Sequence, residues 1–277
     1  MVSIVIPTLG RSSLDRLLRS IATAADKNQI DFGRQFEVVV AVDPRGGVAL
    51  KSEFAEVRVV ASTGDGVNRA RNAGARAAVG TLLWFLDDDT ELLDLAALVE
   101  LPKLFNDSFV RAVGGDYVSP DSIPFAERGY NSLCSLWRVS AGGEGSEQLL
   151  GGNLAVRKSA WAAAGGFDDH IEYGGAETAF VARLNRQTTS TKTEVRFHEI
   201  LNVRHYPGAR GFRGWARVAF RQGHRKIETE DSLPPFDHRL RRSVDFLKRQ
   251  DAKTLVSLTA FSVPFLAVSR VAAISRR

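Results

Sequence analysis

Short apolar runs alternate with helix-like patterns along the first part of the chain. Runs that are apolar at nearly every position indicate strands, whereas apolar residues at every third or fourth position indicate amphipathic helices. The pattern predicts strands at residues 3–6, 36–42, 57–61, 82–86 and 110–118, and helices at residues 12–25, 66–79 and 92–105. Continuous apolar strands that alternate with helices are typical of an α/β fold with a mostly parallel sheet.

The second half of the chain is less regular. A strand is predicted at residues 149–157, helices at 158–164 and 176–186, and an extended segment at 194–206. Residues 120–145 hold Trp137 and a glycine-rich loop at 142–145. An amphipathic helix is predicted at residues 212–226, and residues 254–274 are strongly apolar.

The composition is that of an ordinary globular protein, with 44% hydrophobic and 25% charged residues among 277. The single cysteine, Cys134, excludes an intrachain disulfide and a cysteine-based zinc site, and it fits a reducing cytoplasm. The N-terminus lacks the basic start and long apolar stretch of a signal peptide, so we expect a strand there. The net charge of +5 predicts an anionic partner. Nucleic acid is not expected to be that partner, because no nucleic-acid-binding motif is found.

Polar residues directly follow three of the predicted strands. Pro7 and Thr8 follow the first strand, Asp43 follows the second, and three consecutive aspartates, 87–89, follow the fourth. Because α/β sheets bind ligands at the carboxyl ends of their strands, we expect these residues on one edge of the sheet.

The three aspartates have two interpretations. If the strand continued through them, Asp87 and Asp89 would share one face and Asp88 would point away, so Asp88 would tolerate asparagine best. Two carboxylates on one face suit Mg²⁺ or Mn²⁺, which proteins commonly hold by one or two carboxylates together with substrate phosphates. The alternative is a solvated turn in which Asp89 or Thr90 caps the next helix.

Three further residues are candidates for chemistry, and each has a structural alternative. Arg71 lies among small and apolar residues of its helix, where it would contact a nucleotide or diphosphate, or extend past them to solvent. Glu177 begins the inward stripe of its helix, where it would act as a general base or interact with the helix dipole. His205 follows a strand-like run, where it would complete a metal site or serve as a structural histidine.

Five sequence blocks between about residue 2 and residue 226 resemble the family-2 glycosyltransferases of the GT-A fold. The blocks are SIVIPT, VVVAVD, RARNAGARAAVGTLLWFLDDD, GGNLAVRKSAWAAAGGFDD and GGAETAFVARL, of which the third and fourth are long and specific. The resemblance implies a Rossmann-like, mostly parallel central sheet flanked by helices, with a helical C-terminal extension. The expected division is a catalytic domain at residues 1–210, with a nucleotide-binding half at 1–118 and an acceptor-side half at 119–210, followed by a basic and apolar extension at 211–277.

The same resemblance implies a role for individual residues. Glu177 would be the catalytic base. A divalent cation, Mn²⁺ or Mg²⁺, would be held by Asp87, Asp89 and His205. Contacts to the donor nucleotide, its diphosphate and its sugar would come from Pro7, Thr8, Asp43, Arg71, Asp87, Gly152 and Asn153.

The implied reaction is inverting sugar transfer from a nucleotide-diphosphate sugar, with UDP, GDP or dTDP, to an acceptor hydroxyl. A carbohydrate or lipid-linked acceptor is expected, in the synthesis of cell-envelope glycan, polysaccharide or glycolipid. The family often carries two adjacent acids where this chain has only Glu177. A catalytically weak or inactive sugar-nucleotide-binding protein is therefore an alternative, and a nucleotidyltransferase is another.

The C-terminal part suggests contact with a membrane surface. The helix at 212–226 carries an apolar stripe and a basic stripe, the latter made of Arg213, Arg217, Arg221 and Arg225. Such a helix suits an anionic membrane surface, or it is an ordinary solvated helix. Residues 254–269 carry no charge but span only about 24 Å as a helix, less than a hydrocarbon core of ~30 Å.

We therefore expect an interfacial or packed helix there, in a cytoplasmic protein that is peripheral on the inner face of the plasma membrane. Residues 120–145 and the C-terminal third are expected to set the acceptor.

Overall fold

The computed structural model describes residues 1–47, 54, 56–142, 147–171, 175–186, 195–208, 211–225 and 235–274. Most of the glycine-rich loop at 142–145 lies outside these ranges. The predicted basic stripe is described only at Arg213 and Arg217, because the side chains of Arg221 and Arg225 lie outside the description.

The first half of the chain alternates strands and helices, as its apolar pattern predicts. Two strand predictions, residues 36–42 and 82–86, match the observed bounds. The elements in chain order are β1 (Val2–Thr8), α1 (Ser13–Lys27), β2 (Phe36–Val42), β3 (Arg58–Ala61), α2 (Val67–Ala77), β4 (Leu82–Leu86), β5 (Thr90–Leu92), α3 (Ala97–Lys103), β6 (Ala112–Gly114) and β7 (Tyr117–Val118).

The second half contributes three strands and most of the longer helices. They are α4 (Phe125–Ala141), β8 (Asn153–Arg157), α5 (Lys158–Ala163), α6 (Ala176–Arg186), β9 (Val195–Phe197), β10 (Val203–His205), α7 (Phe212–Arg225), α8 (Phe236–Lys248) and α9 (Ala252–Ile274). The helices α4 and α8 were not predicted. The predicted strand at 110–118 is divided, because the chain leaves one sheet after Gly114 and enters another at Tyr117.

The central sheet has seven strands in the order β3-β2-β1-β4-β8-β6-β9. The first four strands in this order are parallel, and β8 runs antiparallel to both of its neighbours. In the register of β1 and β2, Thr8 pairs with Val42. The residues that follow β1, β2 and β4 therefore lie on the same edge of the sheet, as expected.

The two faces of this sheet pack against separate helix layers. Ile4 and Trp84 point toward α1 and α3, whereas the alternate residues Val5 and Phe85 point toward α2, α5 and α6. Burial of both faces explains why the strands are apolar at nearly every position. The predicted α/β class, with a mostly parallel sheet flanked by helices, is confirmed.

A second sheet of three strands, β5-β10-β7, lies beside the aspartates. Its central strand β10 runs antiparallel to β5, so His205 pairs with Thr90. The backbone N–H of Tyr206 donates to the carbonyl oxygen of Asp89 at 2.8 Å. This small sheet thereby carries His205 next to the aspartates that follow β4.

The helices α4, α7 and α9 pack through aromatic side chains. Trp215 of α7 lies between Tyr130 of α4 and Phe261 of α9, with ring centroids 4.9 and 5.0 Å apart. The helix α9 continues through Pro264 for 23 residues. By length and composition its segment Ala252–Ser269 is apolar enough to cross a membrane, with mean hydropathy 1.4, and 28% of that segment is buried against the protein.

Candidate active site

A cavity of about 640 Å³ opens at the carboxyl edge of the central sheet. Its walls come from the ends of β1, β2 and β4, from the start of α6, and from the helices of the C-terminal part. Of the residues to which the sequence assigned a role, all except Asn153 line this cavity: Pro7, Thr8, Asp43, Arg71, Asp87, Asp89, Gly152, Glu177 and His205.

Asn153 has a different position from the one expected. It is fully buried, and its amide oxygen accepts a 3.1 Å hydrogen bond from Trp84 Nε1 while its amide nitrogen donates to the Leu201 carbonyl at 2.6 Å. These bonds connect β8 to β4 and to the turn before β10 inside the fold, and the side chain does not line the cavity. Its neighbour Gly152 does line it.

Gly152 holds Asp87 in place through close packing. The backbone N–H of Asp87 donates to the Gly152 carbonyl at 3.1 Å. A Cβ atom at position 152 would lie 2.1 Å from Asp87 Oδ2 and 2.4 Å from the Tyr117 hydroxyl. Only glycine therefore allows the Asp87 carboxylate and the Tyr117 phenol to pack against this turn.

Asp43 connects the end of β2 to the start of α2. Its carboxylate accepts hydrogen bonds from the backbone N–H of Gly66 at 2.7 Å and from Arg45 Nε and Nη2 at 2.9 and 2.7 Å. The side-chain hydrogen bond from Arg45 holds the pKa of Asp43 well below its usual range, even though burial opposes this. A charged acceptor therefore stands at the edge of the cavity where the sequence predicts nucleotide contacts, and we call this side the nucleotide edge.

Arg71 forms a buried ion pair with Asp87. Its Nη2 atom donates to Asp87 Oδ1 at 2.6 Å, and its Nη1 atom donates to Asn68 Oδ1 at 3.2 Å. Only 5% of Arg71 is exposed, so the alternative of an arginine extending to solvent does not apply. Burial lowers the pKa of Arg71, but the charge and hydrogen bond of Asp87, together with the charges of Tyr117 and Glu177, outweigh burial and raise that pKa.

Asp88 does not point away from the cavity, which corrects the expectation from strand alternation. The strand β4 ends at Leu86, and the N–H of Thr90 donates to the Asp87 carbonyl at 3.1 Å, so the aspartates lie in a turn. Asp88 is 3% exposed and accepts a 2.5 Å hydrogen bond from Thr8 Oγ1. Burial, together with the charge of Asp89, raises the pKa of Asp88 to about 6.

Arg11 was not singled out from the sequence, yet it joins two of the aspartates. Its Nη1 atom lies 3.2 Å from Asp88 Oδ1 and 3.2 Å from Asp89 Oδ2. Its side chain is 46% exposed, which leaves it room to move when a ligand enters. The turn after β1 carries this arginine toward the carboxylates, and that long-range approach has no local sequence signal.

Asp89 and His205 face each other across the cavity wall. Asp89 Oδ1 lies 3.4 Å from His205 Nε2. The opposite ring nitrogen, Nδ1, lies 2.7 Å from Asn131 Oδ1, and the Asn131 amide nitrogen donates to the His205 carbonyl at 3.0 Å. Because the amide nitrogen is occupied in this way, the amide oxygen accepts from Nδ1–H. The Nε2 atom of the same ring thereby faces Asp89.

This pair fits a divalent cation that also binds a substrate. Within the described ranges, no group of three or more His, Cys, Asp or Glu side chains is arranged to hold a metal by itself. The Asp87 carboxylate is paired with Arg71 through Oδ1, and Asp89 is paired with Arg11 through Oδ2. The two donors of the predicted set that face each other are therefore Asp89 Oδ1 and His205 Nε2, which lie 3.4 Å apart. One carboxylate and one imidazole suit Mn²⁺ or Mg²⁺ when substrate phosphates complete the shell.

Glu177 is placed for proton transfer. It begins α6, it lines the cavity, and its Cβ atom lies 3.4 Å from the position of a Cβ at Gly151. Burial raises the pKa of Glu177, and the neighbouring charge of Arg71 partly opposes that rise. A carboxylate whose pKa is raised accepts a proton more readily than an exposed carboxylate with an ordinary pKa.

Tyr117 and Cys134 complete this part of the cavity, and neither was assigned a role from the sequence. Tyr117 stacks on His205 with ring centroids 4.0 Å apart. Burial raises the pKa of Tyr117 well above its ordinary value, and the charge of Asp87 adds to this, so the phenol stays neutral. The Cys134 thiol also lines the cavity, but burial raises its pKa to about 12, which removes it as a nucleophile.

Comparisons with known proteins agree with this geometry. The sequence model of the family described as Glycosyl transferase family 2 matches residues 3–145, slightly more than half of the chain. The match contains the ends of β1, β2 and β4 that form the nucleotide edge of the cavity. No curated protein matches the chain in sequence.

Several solved structures share the fold. A mannosyltransferase from Pyrobaculum calidifontis, in complex with GDP-Man and Mn²⁺, has a TM-score of 0.62 at 15% identity, covering 100% of this chain and 87% of its own. TarS 1-349 from S. aureus has a TM-score of 0.51 at 12% identity, with coverage of 99% and 82%.

Glucosyl-3-phosphoglycerate synthase from Mycobacterium tuberculosis, in complex with Mn²⁺, UDP and phosphoglyceric acid, has a TM-score of 0.51 at 14% identity, with coverage of 85% and 80%. At such identities the likeness shows the fold alone, and the expected GT-A fold is confirmed.

Proposed function

Since this chain belongs to glycosyl transferase family 2, we propose that it transfers a sugar, with inversion, from a nucleotide-diphosphate sugar to an acceptor hydroxyl. The observation that carries the proposal is the single cavity that holds the nucleotide edge, the Asp89–His205 pair and Glu177 together. A donor bound along the edge would place its diphosphate between the cation site and the base.

The nucleotide end of the donor would bind at the ends of β1 and β2. Thr8 and Asp43 present a hydroxyl and a carboxylate there, and Pro7 forms an apolar wall. Arg71 and Asp87 lie deeper, beside Gly152, where ribose and diphosphate would follow. The proposed donors carry UDP, GDP or dTDP, and the similar structures complexed with GDP-Man and with UDP support this range.

Asp89 and His205 would hold Mn²⁺ or Mg²⁺ in the donor complex. When bound, such a cation neutralises charge on the diphosphate leaving group. Two of the similar structures contain Mn²⁺, which supports this part of the proposal. Neighbouring side chains orient the proposed ligands, because Asn131 contacts the His205 ring and Arg11 bridges Asp88 and Asp89.

Glu177 would be the base for the acceptor. In the proposed step the acceptor oxygen forms a bond to the anomeric carbon, and the bond from that carbon to the diphosphate oxygen breaks. The acceptor proton moves to the Glu177 carboxylate. Positioning of both substrates in one cavity supplies a large part of the rate enhancement for such a reaction.

The proposed setting is a peripheral enzyme on the inner face of a membrane, acting on a carbohydrate or lipid-linked acceptor of the cell envelope. The outward side of α9 supports membrane contact, since Val256 and Val263 are 60% and 64% exposed there. The opposite side of α9 packs on α4 and α7, which favours a helix at the membrane surface over one surrounded by lipid. The proposed domain division at residues 210 and 211 assigns α7, α8 and α9 to the extension and leaves α4 in the catalytic domain, against which α7 and α9 pack.

A panel of UDP-, GDP- and dTDP-sugars tests the reaction. We expect one donor class to raise the melting temperature in the presence of Mn²⁺ and to be hydrolysed slowly without an acceptor. Glu177→Gln should keep the thermal shift and lose turnover. The second candidate function is a sugar-nucleotide-binding protein without catalysis, and the presence of only one acid at this position favours it. It applies if a donor binds but neither the wild-type chain nor Glu177→Gln turns it over.

A further inference from the structure

The helix α4 carries polar residues on its buried side, the reverse of an ordinary amphipathic surface helix. Its polar residues Asn131, Ser135 and Arg138 are all under 7% exposed and face the protein interior. Arg138 donates to Asp116 at 2.9 Å and Ser135 donates to the same carboxylate at 2.6 Å. The side of α4 that turns toward the cavity is instead mainly apolar.

The apolar side of α4 forms one wall of the cavity that contains Glu177. Leu133, Leu136 and Trp137 line this wall and are half-buried, so part of each side chain faces the cavity. Leu133 also packs against the aromatic cluster of α7 and α9. The opposite wall comes from Trp215 of α7 and from Phe265 and Leu266 of α9. We call the space between these two walls the apolar annex.

Apolar walls around open space have an energetic consequence. When water fills the space beside side chains such as Leu133 and Trp137, their apolar surface stays hydrated. An apolar ligand would remove that surface from water, which is favourable in free energy. Specific ligand cavities are typically apolar with a few polar groups that fix orientation. In this cavity the carboxylates gather at the sheet edge and most apolar side chains gather in the annex. The polar side chains that α4, α8 and α9 add to the lining are Ser140, Arg239, Ser243 and Ser269.

The annex also has an exit toward an apolar surface. Leu266 lines the annex and is itself 42% exposed, so the wall reaches the outside of α9 at this residue. Among the described residues of α8, Phe236 and Leu240 are 72% and 50% exposed. A chain longer than the annex would therefore continue along apolar protein surface.

We propose that the apolar annex binds the hydrocarbon chain of an amphiphilic acceptor, whose hydroxyl head then lies at Glu177. This inference rests on the proposed sugar transfer for its assignment of the head group, and on the orientation of α4 for its assignment of the chain. The acceptor is thus a hydroxyl compound attached to a long alkyl or isoprenoid chain. A free soluble carbohydrate would leave the annex filled with water.

The test uses the full chain with Mn²⁺ and the nucleoside diphosphate that stabilises it best. The probes are octyl and dodecyl maltoside, and dodecyl maltoside brominated in its chain, all below their micelle concentrations. Bromine quenches tryptophan fluorescence at short range, and Trp137 and Trp215 line the annex. We expect saturable quenching by the brominated chain only, and at least tenfold tighter binding of dodecyl than of octyl maltoside, since each fully buried methylene contributes about fourfold.

Variants in the annex and on the outer face of α9 locate the chain. Leu133→Gln places an amide in the annex, and Leu136→Gln, one turn along, replaces it if the first variant is unstable. Binding to either variant should no longer depend on the length of the alkyl chain. Val263→Gln changes the outward face of α9 and should bind like the wild type. Nucleotide-dependent thermal shift, measured for each variant, reports that the nucleotide half is folded.

The outcomes separate this inference from the proposed function. Equal binding of the octyl and dodecyl probes would overturn the proposal that the annex binds the alkyl chain. Loss of binding in Val263→Gln but not in Leu133→Gln would also overturn it, and would place the alkyl chain on the outer surface. Donor turnover in that case leaves the sugar-transfer proposal intact. If binding depends on alkyl chain length but no donor is turned over, the annex remains a site for an amphiphile. That amphiphile is then not the acceptor of a sugar-transfer reaction.

Discussion

The guanidinium of Arg71 donates a 2.6 Å hydrogen bond to the carboxylate of Asp87, with 6% and 26% of the two side chains exposed. This ion pair joins α2 to the end of β4 at the centre of the cavity. It also acts on Glu177, because the charge of Arg71 opposes the rise in the pKa of that carboxyl group. The pair therefore links the stability of the fold to the residue proposed as the base.

Replacing Arg71 with glutamine should destabilise the protein by about 3 kcal/mol, since the partly buried Asp87 carboxylate would lose its counter-charge. Urea denaturation without ligand measures this. Arg76→Gln on the exposed side of the same helix is the control and should change stability by less than about 0.5 kcal/mol. Similar stability of the two variants would mean that the ion pair contributes little.

Glu177→Gln should lower the rate of sugar transfer by about 10²- to 10⁴-fold while leaving donor affinity unchanged, because the amide cannot accept the acceptor proton. The pKa of Glu177 is raised, and the base acts only as a carboxylate. The kcat/KM of the wild type should therefore rise with pH along a limb that lies above pH 4.5, the ordinary value for glutamate.

That acid limb should be absent from the residual activity of Glu177→Gln. Glu100→Gln on α3, where the side chain pairs with Lys103 at the surface, is the matched control and should keep the full profile. If the limb persists unchanged in Glu177→Gln, another group accepts the proton.

Asp89→Ala should abolish the part of the nucleotide-diphosphate thermal shift that depends on Mn²⁺, because Asp89 and His205 are the facing donors of the cation site. EDTA should remove the same part of the shift from the wild type. Asp26→Ala, an exposed aspartate on α1, should behave like the wild type. A Mn²⁺-dependent shift that survives in Asp89→Ala would place the cation elsewhere.

Asn131→Leu should weaken Mn²⁺ binding in the nucleotide complex by about 10- to 100-fold, the usual effect of losing a partner that orients a ligand. The Asn131 oxygen fixes His205 through Nδ1, at 2.7 Å, and leaves Nε2 toward Asp89. Electron paramagnetic resonance of free Mn²⁺ measures the affinity. Ser132→Ala is a suitable control, because the Ser132 hydroxyl bonds only to the α4 backbone in the described contacts.

Unchanged Mn²⁺ affinity in Asn131→Leu would show that the ring keeps its orientation without the amide, through its stacking on Tyr117.

The parts of the fold that the sequence predicts are those set by local pattern. The strands β2 and β4 are buried on both faces, so every position except Glu37 is apolar and their bounds can be read directly. The helix α4 was missed because its buried side is polar. The partners that satisfy Asn131 and Arg138 are His205 and Asp116, which are distant in sequence and cannot be inferred from a local period.

The site shows the same division between local and long-range information. Strand order alone predicts that Thr8, Asp43 and Asp87 share an edge. The orientation of Asp88 was predicted wrongly, because strand alternation was extended beyond Leu86 into a turn. Arg11 approaches Asp88 and Asp89 across 77 and 78 residues of sequence, a contact that only the folded chain reveals.

Gly152→Ala should perturb the site with little change elsewhere, because a Cβ atom at this position would lie 2.1 Å from Asp87 Oδ2. Either the Asp87 carboxylate moves away from Arg71 or the turn before β8 shifts, at a cost of about 1–3 kcal/mol. Nucleotide affinity should fall together with stability, measured by thermal shift and by urea denaturation. Gly211→Ala is the control, since a Cβ there has no neighbour within 4 Å. Tight nucleotide binding by Gly152→Ala would mean that the donor does not depend on the observed position of Asp87.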